Sequence, residues 1–308
     1  MNSRSSGIAP LFAVALAATV AVPPTRLHAQ GPDRSRDRGT GIPASMFGTY
    51  IECGQLLLFP FVAYARDHDR EYNPAGLGFG LAEDFRGRFR STEVLLFAAY
   101  GVTDWLALEF EASRIRATFD KSPSDTSALP ARIVESGLAD IEGHLRLRVV
   151  RETDRRPEVF GFVEITAPSQ RRTLLIGDKA WDVRPGLGVV RGFSWGTMTF
   201  RTDVEYNRDD HHLDLGETSI EYLRRLSPSW RLNLAIEGGE TGAPDEWELV
   251  TGVRWRLRDV LFVKVDNAVG LSSKATDWSP QIGLMLALPL FTPRRLHPHR
   301  AGVRNQLP

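Results

Sequence analysis

The stretch GTMTFRTDVEYN, residues 196–207, decides the fold class because polar and apolar residues alternate along it. One face carries Met198, Phe200 and Val204, and the other carries charged residues at every second position from 201 to 205. Successive side chains of a β-strand point to opposite faces, so this strand offers one face to hydrocarbon and one to a polar interior. Strands of a soluble β-sandwich alternate too, so this stretch alone leaves both folds open.

The same alternation recurs in twelve segments between Gly54 and Phe291. The last segment places five apolar residues on one face: Ile282, Leu284, Leu286, Leu288 and Leu290. A strand of about 9–11 residues crosses a bilayer, and its lipid-facing side must be continuously apolar. The sequence therefore predicts an all-β protein: one transmembrane antiparallel β-barrel of about 12 strands over residues 51–291.

The connections between these segments alternate in length. Short turns are predicted near residues 101–104, 151–157, 193–196, 227–229 and 258–259, and longer loops near residues 67–86, 117–135, 168–180, 207–212, 240–245 and 271–276. Outer-membrane barrels have short periplasmic turns and longer extracellular loops, so both termini are predicted to be periplasmic. The seven tryptophans fall at or near strand ends, as expected of aromatic girdles: Trp105, Trp181, Trp195, Trp230, Trp247, Trp255 and Trp278.

The two ends differ in composition from the barrel segment. Residues 1–29 are predicted to be a cleaved signal peptide, with Arg4 before an apolar run over Ile8–Val22 and a small-residue cleavage site at Leu27-His28-Ala29. Residues 30–50 are predicted to be a flexible periplasmic lead-in or a lumen plug, and residues 292–308 a disordered periplasmic tail. Export to the cell outer membrane of a Gram-negative-type cell follows from the barrel and the signal.

The composition of the chain is consistent with a barrel and limits the disulfides and partners that can be expected. The chain has 38 basic and 38 acidic residues and a formal net charge of zero, which suits a barrel that hides its polar residues inside. The single cysteine, Cys53, forms no intrachain disulfide. No cofactor and no nucleic-acid partner are expected.

Strand parity predicts which charged side chains face the lumen. Acidic and basic residues are nearly balanced there, which indicates cross-strand ion pairs rather than strong selectivity for one ion sign. Twelve strands enclose a lumen between a filled eight-stranded barrel and an open sixteen-stranded porin, so only small solutes would pass. Six residues near mid-strand are predicted to line or constrict the pore: Arg146, Arg201, Glu205, Arg254, Glu142 and Arg184. Phe160 and Phe162 are expected to contact apolar parts of a solute.

Catalytic and metal sites are not expected. His144 has acidic neighbours at Asp140 and Glu142, but no serine lies at a matching height to complete an acyl-transfer site, so an ion-pair network is predicted instead. Clusters at residues 67–69 and 209–212 carry aspartate and histidine in predicted extracellular loops. Consecutive loop residues rarely converge on one cation, so no metal site is predicted.

Three motifs resemble the outer-membrane β-barrel family grouped with MetA-pathway phenol-degradation proteins. They are the Glu135-Ser136-Gly137-Leu138-Ala139-Asp140-Ile141 strand opening, the Ile165-Thr166-Ala167-Pro168 strand end and the Arg184-Pro185-Gly186-Leu187-Gly188 strand. They cover about the middle third of the chain. The resemblance implies outer-membrane passage of small, often aromatic or apolar, compounds.

These observations predict a narrow passive channel or transporter for small molecules. The expected partners are the lipid bilayer, lipopolysaccharide, a small-molecule solute and the barrel assembly machinery. Two alternatives stay open: a plugged barrel with a structural or surface-binding role, and a membrane-embedded hydrolase.

Overall fold

The structure, a computed structural model, describes residues 52–169, 173–177, 181–207, 212–238 and 246–290. All of them belong to one compact unit that spans Asp33–Pro308. The predicted signal peptide, lead-in and tail lie outside the described residues, and so does most of the 209–212 cluster. Among the described residues no helix is long and apolar enough to cross a membrane.

Twelve strands make up the described structure. They are β1 Gln55–Tyr72, β2 Phe85–Gly101, β3 Leu106–Asp120, β4 Arg132–Val150, β5 Glu158–Ala167, β6 Asp182–Phe193, β7 Gly196–Asn207, β8 His212–Arg225, β9 Trp230–Gly238, β10 Trp247–Arg258, β11 Leu261–Gly270 and β12 Trp278–Pro289.

Each strand pairs with its neighbours in the chain, and β1 pairs with β12 to close a barrel. All the pairings are antiparallel. At the closing seam, Leu57 of β1 lies opposite Ala287 of β12 and Ala99 of β2. The predicted twelve-stranded antiparallel barrel is confirmed. Closure satisfies the backbone hydrogen bonds of every strand, which a spanning sheet requires in lipid.

The connections define two ends of the barrel. The short-turn rim carries residues 102–105, 151–157, 194–195, 226–229 and 259–260. The long-loop rim is the opposite end of the strands, and its described connecting residues are 73–84, 121–131, 168–169, 173–177, 181, 246 and 271–277. The predicted alternation in length holds except that the β7–β8 and β8–β9 connections each have four residues, and the first two long loops are shorter than predicted. β1 continues to Tyr72 and β4 begins at Arg132, because backbone pairing extends beyond the apolar part of these strands.

The outward face carries a band of exposed apolar side chains. It includes Val62, Val94, Leu96, Leu108, Phe110, Ile141, Leu145, Ile165, Leu187, Phe200, Ile220, Leu232, Leu234, Ile236, Val265, Ile282 and Leu284. Soluble monomers rarely expose apolar patches of this extent, whereas a lipid-facing barrel requires one. Trp230 stacks on Trp255 near the short-turn rim, and Trp278 stands at the long-loop rim. Both positions fit aromatic girdles at the edges of the band.

Candidate functional site: the barrel lumen

One row of paired residues shows how the inner wall changes character around the barrel. From β1 to β6 the residues in register are Leu57, Ala99, Glu109, His144, Glu164 and Arg184. None of these six side chains is exposed, as expected of the face opposite the apolar band. The row passes from apolar to charged within three strands, so the lumen has two unlike sides.

The apolar side is a continuous cluster from five adjacent strands, called here the apolar wall. It contains Leu57, Phe59, Phe61, Ala63, Leu95, Phe97, Ala99, Ala107, Phe262, Met285 and Ala287. Phe59 and Phe61 stack with ring centroids 4.9 Å apart. Strand parity does not predict this wall, because it assigns apolar residues to the lipid-facing side. The signal lay in residues 56–63, LLLFPFVA, which are apolar on both faces.

The opposite side is an ion-pair network on β3 to β8, called here the charged network. Its described members are Arg146, Arg184, Arg201, His144, Glu109, Glu142, Glu164, Asp182, Asp203, Glu205 and Glu217. Arg201 Nη2 lies 3.1 Å from Glu217 Oε2 and 3.5 Å from Glu164 Oε2. Arg184 Nε lies 2.5 Å from Asp182 Oδ2. Buried charges persist only where such partners offset their desolvation.

Two arginines of the charged network also stack on aromatic rings. The Arg146 guanidinium carbon lies 3.8 Å from the centroid of Phe160, and that of Arg201 lies 4.7 Å from the centroid of Phe162. A cation over an aromatic face is attracted by about 0.5–2 kcal/mol, depending on how far it is desolvated. The stacks therefore help to fix both guanidinium groups in place.

Glycines of β6 make room for these rings. Phe162 pairs with Gly186, and Phe160 pairs with Gly188. A Cβ at residue 188 would overlap Phe160 Cζ and lie 2.6 Å from Cε1, and a Cβ at residue 186 would overlap Phe162 in the same way. Both rings thus lie across the backbone of β6, where only glycine leaves space for them.

His144 sits at the centre of the charged network. Nδ1 lies 3.7 Å from Glu164 and 4.0 Å from Glu109, and Nε2 lies 3.6 Å from Glu142. Every described polar contact of His144 is thus with a carboxylate, and no hydroxyl nucleophile is among them. This arrangement has the form of the predicted ion-pair network and offers no acyl-transfer geometry.

The same cluster has the residue types of a metal site. Ligand atoms of Glu142, His144 and Glu164 all lie within 4.8 Å of one another. However, Arg201 and Arg184 lie within 4 Å of Glu164 and already share its charge. Their positive charges would repel a cation placed there. The carboxylates of the charged network are therefore better placed to pair with arginines than to bind a metal ion.

Arg254 lies apart from the other predicted pore residues. Its Nη1 contacts Asp266 Oδ1, and Lys264 Nζ lies 2.9 Å from Asp266 Oδ2. In register, Arg254 stands directly opposite both Arg231 and Lys264. The strands thus bring like charges together here, whereas the sequence predicted opposite charges in register. Asp266 stands two residues beyond Lys264 on β11 and contacts both Lys264 and Arg254.

The six predicted pore residues are accordingly divided between two places. Five of them belong to the charged network: Glu142, Arg146, Arg184, Arg201 and Glu205. The sixth, Arg254, belongs to the separate cluster with Lys264 and Asp266.

A second apolar cluster lies at the long-loop rim. Its buried residues are Tyr72, Phe85, Phe119, Leu129 and Ile133, with Leu77, Phe79, Leu81, Phe89, Leu174 and Leu175 packed against them. The Tyr72 hydroxyl donates to Asp125 Oδ2 at 2.9 Å and accepts from the backbone N–H of Ser122 at 2.9 Å. The described loop residues 77–81, 129 and 174–175 are therefore packed onto the strand ends.

The predicted loop placement of the 67–69 cluster is wrong, because Asp67, His68 and Asp69 belong to β1. Asp277 accepts hydrogen bonds there from His68 Nδ1 at 2.7 Å and from the His68 backbone N–H at 2.9 Å. These two bonds hold the pKa of the Asp277 carboxyl below its usual value. Ligand atoms of Asp67, Asp69 and Asp277 do converge within 4.8 Å. The bulge between Asp67 and Arg70 allows this convergence, which sequence spacing did not predict.

Comparison with known proteins gives a fold relationship. No family model matches the chain, and no curated relative matches it. An outer membrane channel from Pseudomonas putida F1 superposes with a TM-score of 0.58 at 15% identity, covering 79% of this chain and 98% of that one. The translocator domain of autotransporter NalP from Neisseria meningitidis has a TM-score of 0.41 at 11% identity over 76% of this chain and 88% of that one.

The Ralstonia pickettii toluene transporter TbuX has a TM-score of 0.40 at 11% identity, covering 77% of this chain and 89% of that one. Of these three structures, the Pseudomonas putida channel has a TM-score above 0.5, and at 15% identity the likeness concerns the fold alone. The chain has the fold of an outer-membrane β-barrel. The likeness to MetA-pathway proteins stays a prediction.

Proposed function

We propose that this protein is a narrow passive channel of the outer membrane for small molecules that combine an apolar, often aromatic, body with a polar group. The two-sided lumen is the observation that carries the proposal. The apolar wall lies on β11, β12 and β1 to β3, and the charged network lies on β3 to β8.

The apolar wall suits the body of such a solute. The side chains of the apolar wall are closely packed and each at most 8% exposed, so a solute gains mainly by burying its own apolar surface against them. Each Å² of apolar surface covered in this way contributes roughly 25 cal/mol. A channel for sugars or inorganic ions gains nothing from this wall, whereas a channel for aromatic compounds does.

The charged network suits the polar group. The stacks on Phe160 and Phe162 hold Arg146 and Arg201 in fixed orientations, and a guanidinium group offers several N–H donors in one plane. Arg146, Arg201 and Arg254 are each no more than 3% exposed, which indicates a lumen that is narrow at their level. The predicted pore residues Arg146, Arg201, Glu205, Arg254, Glu142 and Arg184 are proposed as the constriction.

The orientation follows from the rims. The long-loop rim is proposed to face the outside and the short-turn rim the periplasm, because barrels of this class place their longer loops outside. Transport is then diffusive, and the barrel assembly machinery is the proposed route of insertion.

Conductance and solute flux test this function together. The refolded mature chain is expected to show steady single-channel conductance in planar bilayers, or to gain it when residues 30–45 are deleted. Liposomes that contain the barrel should admit benzyl alcohol faster than a sugar alcohol of similar size.

A matched pair of variants tests the apolar wall. Leu95→Asn lies on this wall and should reduce the preference for benzyl alcohol severalfold. Leu223→Asn, a buried leucine on β8 outside the wall, should leave that preference unchanged. Equal flux of both solutes through the wild-type barrel would contradict the proposal.

A plugged barrel with a structural role is the second candidate. The near-complete burial of Arg146 and Arg201 favours it, because the lumen at their level is closely filled. No conductance from either the mature or the shortened chain, both shown to be folded, would favour this role over transport.

A further inference from the structure

Six arginines lie on the outward face of neighbouring strands, near the long-loop rim. This arginine patch consists of Arg66 on β1, Arg88 and Arg90 on β2, Arg114 and Arg116 on β3, and Arg132 on β4. All six are exposed. They share their strand face with exposed apolar residues such as Val94, Phe110 and Val134, so they point away from the lumen.

The register places the arginine patch at the edge of the apolar band. Arg114 stands directly opposite Val94 on β2 and Leu138 on β4, both exposed apolar residues. Arg66 stands opposite Trp278, whose ring marks the long-loop end of the band. The guanidinium groups therefore reach the headgroup layer, where arginine side chains extend from the edge of the hydrocarbon.

Few acidic groups balance this charge. Asp120 lies 2.5 Å from Arg132 and 3.9 Å from Arg90. Within the described ranges, the side chains of Arg114 and Arg116 make no ion pair or hydrogen bond.

Three acids near the patch already have partners. Asp69 and Glu71 pair with Arg86, and Asp277 pairs with His68. The arginine patch thus has an excess of positive charge.

Neighbouring residues add hydroxyl groups to the patch. Arg116 is flanked in register by Thr92 and Ser136, both exposed on the same face. Directly opposed like charges, as at Arg66 and Arg90, destabilise a sheet unless an anion lies between them. Guanidinium groups bind phosphate through paired N–H donors, and hydroxyl groups add further donors.

We propose that the arginine patch binds the phosphate groups of an anionic lipid in the leaflet on the long-loop side. Lipid A, the phosphorylated anchor of lipopolysaccharide, has this chemistry. The patch lies beside lipid and at headgroup depth, so a membrane lipid reaches it more readily than a dissolved anion does. This site is independent of the lumen and of the transport function proposed above.

Native mass spectrometry of the folded full-length barrel tests the proposal, with lipid A as the probe and its dephosphorylated form as the comparison. The double variant Arg114→Gln with Arg116→Gln should bind lipid A about 30-fold more weakly, because each arginine near an anionic headgroup contributes about fivefold. The matched control replaces Arg155 and Arg156 with glutamine, since both are exposed at the short-turn rim. The control should bind as the wild type does.

Three results would overturn the proposal. The first is equal binding of lipid A by wild type and by the Arg114 and Arg116 variant, with both shown to be folded by heat-dependent gel mobility. The second is equal binding of the dephosphorylated lipid. The third is displacement of lipid A by millimolar inorganic phosphate, which would assign the patch to a dissolved anion. Binding that weakens with added salt is expected, because these charges are exposed.

Discussion

Replacing Gly188 with alanine tests the packing that holds the charged network. The new Cβ would overlap Phe160 Cζ and lie 2.6 Å from Cε1, whereas carbon atoms pack at about 3.5–4.0 Å. Because Cζ is the nearest ring atom, the ring must retreat by about 1.5 Å. Phe160 is only 2% exposed and lies under the Arg146 guanidinium, so the ring cannot move without disturbing that stack.

Three contributions determine how much Gly188→Ala should change the free energy of unfolding. Overpacking a filled site costs about 1–3 kcal/mol, and a weakened cation–π contact costs about 0.5–1 kcal/mol. Replacing glycine in a strand returns about 0.5–1 kcal/mol through reduced backbone entropy. Gly188→Ala should therefore lower the free energy of unfolding by about 1–3 kcal/mol.

Urea unfolding of the barrel in lipid vesicles, followed by tryptophan fluorescence, measures this change. Gly161→Ala is the control, because a Cβ there would lie 3.8 Å from the nearest atom, the Gly186 carbonyl oxygen. The control should be neutral or slightly stabilising. Combining Gly188→Ala with Phe160→Leu should recover part of the loss, as coupled neighbours do. If Gly188→Ala and Gly161→Ala shift the unfolding midpoint equally, the ring does not rest on residue 188.

Three further variants test other parts of the molecule. Leu234→Arg, in the middle of the apolar band, should destabilise the barrel in vesicles by about 2–4 kcal/mol. Trp230→Arg, at the rim, should destabilise it by about 0–1 kcal/mol. Equal losses of stability in urea titrations would contradict a membrane-facing band. Arg201→Met removes the buried guanidinium shared by Glu164, Asp203 and Glu217 and should cost about 3–5 kcal/mol in the same assay. Retention of wild-type stability would contradict these ion-pair distances. The pKa of Asp277 is lower in the folded protein than the usual 3.8 of the unfolded chain. The ionised carboxyl therefore stabilises the fold above pH 3.8, and this contribution is lost as the pH falls through the folded-state pKa. Asp277→Asn should therefore reduce the acid dependence of unfolding below about pH 4, and identical acid profiles for the two proteins would contradict the hydrogen bonds to this carboxyl.

The number and order of the strands could be predicted from the sequence, because polar and apolar residues alternate wherever one face of a strand meets lipid. It was insufficient at the strand ends near the long-loop rim. Residues 67–72, DHDREY, show no apolar period, so the sequence predicts a loop there. In the structure they continue β1 and pair with β2, with Glu71 opposite Arg86. Both faces of a strand are polar once it leaves the membrane, so hydrophobic periodicity cannot locate its end.

The lumen was predicted less completely than the fold. Parity correctly placed Arg146, Arg201 and Arg254 inside, since all three are buried. Parity could not show which charges meet, because that depends on the stagger between strands and on bulges such as the one between Arg148 and Val150. It also could not distinguish an apolar lumen residue from a lipid-facing one. Both distinctions depend on contacts between strands that are distant in the sequence, so sequence spacing does not provide them.

Closure of the barrel has a consequence for how the protein reaches its membrane. The first strand completes its hydrogen bonds only with the last one, since β1 pairs with β12 across the full length of the chain. Until Trp278–Pro289 is in place, the outer edge of Gln55–Tyr72 is an unpaired and largely apolar template for another chain. Pairing over so many residues is intrinsically slow, so the unfolded chain is exposed to aggregation throughout its transit. Cells that make this protein in quantity should therefore depend on chaperones that cover this edge before insertion.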